Sequence, residues 1–325
     1  MAFARLTFFW FRHAFLRVLT GLCIALYCLG SVSNTFAATK PLEVVTSFSI
    51  LEDLVKQVGG EQVNVTNLVK AGNDAHAYEP SAQDAKMLAK ADLLFINGLE
   101  FEPWIERLKK ASGFQGKEIV VSNDVTPRRF NAVGDHAHDD HDHDDEHDHG
   151  EFDPHAWQNV NNAIIYVQNI ELALREADPE NAAVYRERAQ VYIRKLWALD
   201  SSIRDAFEVL PSDRRTIATT HESFGYFADT YGFKLVTIMG MSPDEEPTAA
   251  SIAQFIKEIK AQHINAIFLE NITNTRLLEQ IARDTGVKVG GTLYSDALSA
   301  PGTVAQSYLE MMQSNRDTLV DALNR

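Results

Sequence analysis

Short apolar segments alternate with amphipathic segments along most of this 325-residue chain, and this alternation restricts the possible folds more than any other feature. Helical spacing of apolar residues occurs in Ile50–Val58 and in Ser81–Lys90, where Ser81 is a predicted N-cap. Segments rich in branched residues surround these helices, and they are Leu42–Ser49, Val63–Val69, Leu93–Ile96 and Ile119–Val121. Strands that alternate with helices predict an α/β fold, in which helices cover a mostly parallel sheet.

The same alternation returns near the C-terminal end of the chain. Strand-like segments occur there at Ile217–Thr220, Leu235–Met239, Ala266–Leu269 and Val287–Leu293. Helical segments, Thr248–Lys260 and Thr275–Thr285, lie between the last three of them. The sequence therefore predicts two similar lobes, each with a mostly parallel sheet flanked by helices.

A stretch of different character separates the two predicted lobes. Its apolar residues recur every three or four positions, as one helix face requires, at Tyr192, Leu196, Leu199, Ile203, Phe207 and Leu210. Neither Gly nor Pro occurs between Glu180 and Leu210. We predict a long rigid helix over 178–210 that joins an N-terminal lobe at 38–177 to a C-terminal lobe at 211–325.

The first 37 residues have the composition of a secretory signal peptide. Arg5, Arg12 and Arg17 occur without any acidic residue, and an apolar run from Val18 to Leu29 follows them. That run is shorter than the roughly 20 residues that a membrane-spanning helix needs. Small residues follow, and we expect cleavage after Ala37 or Ala38 and export to the periplasm.

Both cysteines of the chain, Cys23 and Cys28, lie in this leader, so the mature protein has neither a disulfide nor a thiolate metal ligand. Bulky Leu22 and Tyr27 precede them, which disfavours bacterial lipidation and predicts a soluble protein. The formal charge of −15 and the pI near 5.1 exclude a nucleic-acid binder, because such binding needs a basic surface.

An insert at 135–151 combines six histidines with nine acidic residues and offers no apolar face to bury. We predict a disordered His-rich loop. Its histidines are subsidiary candidate zinc ligands: His136, His138, His141, His143, His147 and His149. The alternative is an inert, solvated loop.

Histidines elsewhere in the mature chain are His76, His155, His221 and His263. The first three lie at predicted strand-to-helix junctions, and Asp296 follows the last strand in the same way. Because ligands of parallel α/β sheets bind beyond the carboxyl ends of the strands, these four side chains could converge on one Zn²⁺. Each alone is also explained as a capping or surface group, and this is the interpretation for His263.

These segments, taken in order, resemble the ZnuA/TroA-like family of periplasmic metal-binding proteins that serve ABC importers. The resemblance covers the mature chain and rests on VVTSFSILEDLVKQVGG at 44–60, AGNDAHAYEPS at 71–81, ADLLFINGLEFEPW at 91–104, DPHAW at 153–157, THESFGYFADTYGF at 220–233 and YSDALS at 294–299. The chain departs from the family at Gln158 and Asn159, where a leucine-rich continuation is usual, and in lacking the disulfide of some zinc members.

The resemblance implies that His76, His155, His221 and Asp296 occupy the family's four ligand positions. Manganese members tend to carry glutamate at the third position, so His221 favours Zn²⁺, as does the His-rich insert. The implied function is high-affinity capture of zinc in the cleft between the lobes and delivery to an ABC permease and its ATPase in the inner membrane. A periplasmic zinc chaperone could supply the metal, and we expect a monomer without enzymatic activity.

Three alternatives stay open from the sequence. A manganese or broad divalent-metal protein of the same type would use the same four residues. A secreted zinc hydrolase is disfavoured, because position 225 is Gly where the HExxH pattern that starts at His221 requires His. A periplasmic zinc buffer would depend mainly on the His-rich insert and only secondarily on the cleft.

Overall fold

The computed structural model describes residues 40–130, 151–240 and 247–324. The predicted signal peptide, 1–37, lies outside the described residues, as do residues 135–150 of the His-rich insert with all six of its histidines. Pro41–Arg325 forms one compact unit, so the predicted lobe boundaries at 38–177 and 211–325 stay predictions.

The N-terminal lobe contains one parallel sheet, as predicted, with the strand order β2-β1-β3-β4. Its strands are β1 (Leu42–Phe48), β2 (Val63–Val69), β3 (Leu93–Ile96) and β4 (Lys117–Val120). Helices α1 (Ser49–Gly59), α2 (Ala82–Leu88) and α3 (Ile105–Ser112) connect these strands. The predicted N-cap is confirmed, because Ser81 accepts hydrogen bonds from the backbone N–H groups of Gln83 and Asp84 in a capping box.

Two long helices follow the described part of this sheet. Helix α4 (Val160–Ala177) begins after a 3-10 turn at Ala156–Gln158, and α5 (Ala182–Glu208) begins after a 3-10 turn at Pro179–Asn181. The 27 residues of α5 span about 40 Å. Every residue of the predicted apolar stripe is buried. Helix α5 contacts α1 and α4, and thereby joins the N-terminal lobe to the elements that follow.

The C-terminal lobe repeats the arrangement of the first. Its strands are β5 (Thr216–Thr219), β6 (Lys234–Thr237), β7 (Ala266–Glu270) and β8 (Lys288–Leu293). Strands β5 and β6 form one parallel pair, β7 and β8 form another, and β5 lies against β7. The spatial order β6-β5-β7-β8 thus corresponds to that of the N-terminal sheet, but among the described residues these strands form two separate two-stranded sheets rather than one. The helices are α6 (Gly225–Tyr231), α7 (Ala249–Ala261), α8 (Arg276–Thr285) and α9 (Tyr308–Leu323), and both α6 and α9 contact α5.

The main apolar core is continuous from the N-terminal sheet through α4 and α5 to α6 and α9. A second, smaller core fills the space between β5–β7 and helices α7 and α8, with Phe255 and Ile267 at its centre. Among the described residues, no helix combines the length and apolarity that crossing a membrane would require.

The two sides of the His-rich insert meet in the described structure. Arg129 and Phe152 form an isolated antiparallel bridge, and the backbone N–H of Phe130 donates to the carbonyl of Glu151. The backbone N–H of Asp153 donates to the carbonyl of Arg128, with a separation of 2.8 Å. The chain therefore leaves and returns at adjacent points, two residues before His155.

Replacing Leu196 by Ala should lower the free energy of unfolding, because Leu196 on α5 is fully buried in the core that the lobes share. The expected cost is about 2–5 kcal/mol, the range for truncating a buried leucine. Urea unfolding in the presence of a metal chelator measures it. The control is Val191→Ala on the same helix, where the side chain is 39% exposed and the expected change is within about 0.5 kcal/mol. Equal losses in both variants would contradict the placement of this stripe.

Candidate metal centre

Three imidazoles and one carboxylate meet between the two lobes. His76 lies in the loop after β2, His155 directly precedes the 3-10 turn before α4, His221 follows β5, and Asp296 follows β8. One ligand atom from each of the four residues lies within 4.8 Å of the other three. The structure thus brings together the four residues that the sequence singles out.

Four separations between these side chains are close to those around a single tetrahedral ion. Nε2 of His76 lies 3.2 Å from Nε2 of His155, and Nε2 of His221 lies 3.1 Å from Oδ2 of Asp296. Nε2 of His76 and Nε2 of His155 lie 3.5 Å and 3.6 Å from the two carboxylate oxygens of Asp296. A tetrahedral ion with bonds of about 2.0–2.1 Å separates its ligand atoms by about 3.3 Å.

A buried carboxylate orients His155. Oδ1 of Asp153 accepts a hydrogen bond from the backbone N–H of His155 and lies 2.8 Å from its Nδ1. An Nδ1–H that donates to Asp153 leaves the Nε2 lone pair free and directed at the other ligands. Asp153 therefore acts through His155, and the sequence signal for it is the DPH triplet.

A second carboxylate supports His221 in the same way. Oε1 of Glu270, at the end of β7, accepts hydrogen bonds from the backbone N–H groups of Thr220 and His221. Its Oε2 lies 2.6 Å from Nδ1 of His221, close enough for an ion pair although not aligned as a hydrogen bond. Sequence reasoning missed Glu270, which is 49 positions from His221 and carries no local motif.

The N-terminal lobe fixes the segment that carries Asp296. The carbonyl of Ser295 accepts hydrogen bonds from Nε1 of Trp157 and Nε2 of Gln158, at 2.9 Å and 2.7 Å. The backbone N–H of Leu298 donates to Oγ of Ser49 in the N-terminal lobe. Oδ1 of Asp296 is buried without a hydrogen-bond partner among the described residues, as expected of an oxygen that binds a cation.

The residues that depart from the family's pattern therefore have defined contacts. Gln158 is fully buried and donates to the segment that positions Asp296. Asn159 caps α4, because its side chain accepts from the backbone N–H of Asn161. His263, by contrast, is exposed after the end of α7 and is not part of the ligand cluster.

Charge inside the centre is strongly coupled. Burial favours the neutral form of His155, but the Asp296 and Asp153 carboxylates outweigh burial and raise its pKa to about 9. Burial is likewise outweighed at His221, where Glu270 and Asp296 raise the pKa well above the ordinary histidine value. Burial would raise the pKa of Asp296, but His155 and His221 hold it well below its usual range.

His76 differs from the other two histidines. Burial lowers its pKa despite the nearby Asp296 carboxylate, so this imidazole is neutral and ready to bind at neutral pH. Its side chain is 9% exposed, whereas the side chains of His155, His221 and Asp296 are fully buried. Of the four side chains, that of His76 is therefore the one that solvent reaches.

A strained loop packs against His76. The Phe101 ring meets the His76 ring edge-on at a centroid distance of 4.5 Å. Leu99 and Glu100 take left-handed backbone conformations, with φ of 52° and 63°. Glu102 holds this loop, because its carboxylate accepts hydrogen bonds from Oγ of Ser47 and from the backbone N–H groups of residues 97 and 98.

The chain is similar to known metal-binding proteins over most of its length. Residues 44–322 match a family model described as ZnuA, zinc-uptake complex component A, periplasmic. The manganese-binding lipoprotein MntA of Halalkalibacterium halodurans is 32% identical over 303 residues, which cover 93% of this chain and 95% of that protein.

Two solved structures resemble the whole fold. The periplasmic zinc-binding protein TroA from Treponema pallidum superposes with a TM-score of 0.79 at 29% identity, over 88% of this chain and all of that one. The Mn-bound periplasmic metal-binding protein from Candidatus Liberibacter asiaticus gives a TM-score of 0.74 at 29% identity, over 87% of this chain and 99% of that one.

The loop beside His76 should make stability depend on pH. Burial of Glu102 outweighs its hydrogen bonds and raises its pKa to about 7. Because this pKa exceeds the unfolded value of about 4.3, the contribution of Glu102 to stability is present below that value and lost as pH rises through about 7. Urea unfolding with chelator should therefore show that Glu102→Gln loses less stability than the unmodified chain between about pH 5 and about pH 8.

The matched control for this measurement is Glu187→Gln, at an exposed position on α5. Its loss over the same pH interval should parallel that of the unmodified chain. An identical loss in the Glu102 variant would show that this carboxyl does not titrate on unfolding.

Proposed function

Because the chain belongs to the family of the periplasmic zinc-uptake complex component A, we propose that it captures Zn²⁺ between its lobes and delivers it to an ABC-type importer. The family consists of substrate-binding components of metal ABC transporters, not of enzymes. The observation that carries the proposal is the convergence of His76, His155, His221 and Asp296 within 4.8 Å. Four protein ligands fill a tetrahedral shell and leave no position for a reactive water.

The donor set favours zinc over manganese. Three imidazole nitrogens and one carboxylate oxygen suit a borderline cation, whereas Mn²⁺ prefers more oxygen ligands. Glu270 strengthens this preference, because its carboxylate lies beside Nδ1 of His221 and stabilises an imidazole at that position. A manganese or broad divalent-metal function is the second candidate, since the similar proteins MntA and the Liberibacter protein carry manganese in their descriptions.

The proposed partners are a permease and its ATPase in the inner membrane, and a periplasmic zinc chaperone is a candidate donor. The protein acts as a monomer in the periplasm after removal of residues 1–37. Several similar proteins are named lipoproteins, such as MntA. Here bulky Leu22 and Tyr27 precede the two cysteines, which favours a soluble protein over a lipid-anchored one.

Capture needs little movement of the lobes. Trp157 and Gln158 hold the Asp296 segment from the N-terminal side. Helix α5 contacts α1 and α4 in the N-terminal part and α6 and α9 in the C-terminal part. Ion binding replaces the protons at His155 and His221 and orders the loop around His76. The permease then recognises the loaded form by this ordering and by a small tilt of the lobes.

The His-rich insert is proposed as a subsidiary zinc-collecting segment. His136, His138, His141 and the three histidines that follow them would raise the local zinc concentration close to His155, because both sides of the insert meet two residues before that ligand. Deletion of residues 135–149 distinguishes the contributions of the two sites, since only the cleft is then expected to bind zinc.

Replacing any of the four proposed ligands by Ala should weaken zinc binding by more than about a hundredfold, because loss of one ligand opens a tetrahedral shell. The measurement is competition against a chromophoric chelator, with the chain lacking 135–149, which should bind one ion. Circular dichroism confirms folding of each variant.

The control for these variants is His263→Ala, which removes an exposed histidine outside the cluster and should leave affinity unchanged. Retention of tight binding in the His155→Ala and His221→Ala variants would contradict the proposed site. A different result would identify a zinc buffer instead. In that case the cleft variants of the intact chain would keep their full zinc binding, and deletion of 135–149 would abolish it.

Exchange of His221 for Glu should move metal preference towards Mn²⁺, but a carboxylate there would face Glu270. The informative variant is therefore His221→Glu combined with Glu270→Gln. Its ratio of Zn²⁺ to Mn²⁺ affinity should fall by about tenfold or more, because a hard oxygen replaces a nitrogen ligand. Glu270→Gln alone is the control, and an unchanged ratio in the double variant would refute the role of His221 in selectivity.

A further inference from the structure

Arg128 lies behind the metal centre, at the start of the segment that leads into the His-rich insert. Its backbone N–H donates to the hydroxyl of Tyr226 on α6, at 2.8 Å. Its carbonyl accepts from the backbone N–H of Asp153, also at 2.8 Å. The side chain is only 13% exposed, so its charge must be satisfied by protein groups.

Three carboxylates surround the Arg128 guanidinium. Its Nη1 donates to Oδ2 of Asp153 at 3.1 Å and to Oε1 of Glu222 at 3.0 Å. Its Nε donates to Oδ2 of Asp229 at 2.9 Å. The Asp153 and Glu222 side chains are 0% and 5% exposed, whereas that of Asp229 is 67% exposed. The two buried contacts therefore dominate the interaction.

Each buried carboxylate lies beside a different proposed ligand in the sequence. Asp153 fixes the ring of His155 through its other oxygen. Glu222 directly follows His221 in the C-terminal lobe. One guanidinium nitrogen thus links the segment that carries His155 to the segment that carries His221.

Gly225, the first residue of α6, leaves the space that this contact needs. A Cβ at Gly225 would lie 2.4 Å from Nη1 of Arg128 and 2.5 Å from Oδ2 of Asp153. Any larger residue would displace the guanidinium or the carboxylate. The close approach shows that α6 leaves little free space around the Arg128 guanidinium.

We propose that Arg128 is a positioning residue for metal retention, which fixes the spacing of His155 and His221 by holding Asp153 and Glu222 together. This inference rests on the proposed function. Without the guanidinium, two buried carboxylates would repel one another, and the ring of His155 would lose part of its orientation. Dissociation of the ion should then accelerate, whereas capture, which begins at His76 on the open side, should change little.

The test compares zinc release from the full chain and from the variants Arg128→Met, Arg128→Lys and Asp229→Asn, each loaded with one equivalent of Zn²⁺ and mixed with excess chelator. Arg128→Met should release zinc about 10–100-fold faster, the range for loss of an outer partner of a metal ligand. Its association rate should stay within about threefold of the unmodified value. Arg128→Lys keeps the positive charge but loses the planar guanidinium with its several N–H donors. Its rate of zinc release should therefore lie between those of the unmodified chain and Arg128→Met.

Asp229→Asn is the matched control, because it removes only the exposed partner of the same arginine and should release zinc at the unmodified rate. A spectroscopic readout separates positioning from a general loss of stability: the visible absorption of bound Co²⁺ should change in Arg128→Met and stay unchanged in Asp229→Asn. If Arg128→Met does not fold, Arg128→Lys carries the test, with faster release expected.

Release at the unmodified rate from the folded Arg128 variants, with an unchanged Co²⁺ spectrum, would overturn this inference and leave the proposed function intact. Failure of the unmodified chain to bind Zn²⁺ tightly would overturn the proposed function and this inference together.

Discussion

The buried carboxylate of Asp296 is the interaction on which the rest of the centre depends. A carboxylate removed from water needs compensating charge, and here the nearest groups are three imidazoles from three other segments of the chain. Two of those imidazoles, His155 and His221, are oriented in turn by Asp153 and Glu270. The centre is thus a network of charged and hydrogen-bonded side chains. Loss of one member would leave a buried neighbour without its partner.

This arrangement explains why the two lobes approach one another so closely. The carboxyl ends of the N-terminal strands supply His76 and the supports of its loop, while those of the C-terminal strands supply His221 and Asp296. Contacts such as Trp157 with Ser295 and Arg128 with Glu222 then cross between the lobes. Buried polar groups generally need hydrogen-bond partners, and several groups at this junction find theirs in the opposite lobe.

Much of this architecture follows from the sequence. The strands of both sheets and the long helix were predictable because apolar periodicity survives wherever one element face is buried, as the stripe from Tyr192 to Leu210 shows. Strand β4 begins two residues earlier than predicted, because Lys117 and Glu118 are polar residues on a half-exposed edge strand. Helices α3 and α9 were not predicted individually.

Three of the proposed ligands, His76, His221 and Asp296, were identifiable from their positions after strands. The prediction of a strand before His155 was wrong, because only an isolated bridge at Phe152 precedes it, and this ligand was identifiable from the family resemblance. The groups that position the ligands were only partly identifiable. A local sequence pattern could identify Asp153, since it lies two residues before His155. Glu270 and Arg128 act across 49 and 94 positions of sequence, and no local pattern encodes such contacts. Tertiary structure alone brings a strand end and a loop into contact with the ligand segments.

The antiparallel bridge between Arg129 and Phe152 has an evolutionary consequence. Because the chain departs and rejoins at neighbouring points, the intervening segment can gain or lose residues at a small entropic cost and without strain on the ligands. Insertions, deletions and changes of histidine content in that segment should therefore leave the geometry of the cleft unchanged. This part of the chain is free to vary between generations while the four ligand positions stay in place.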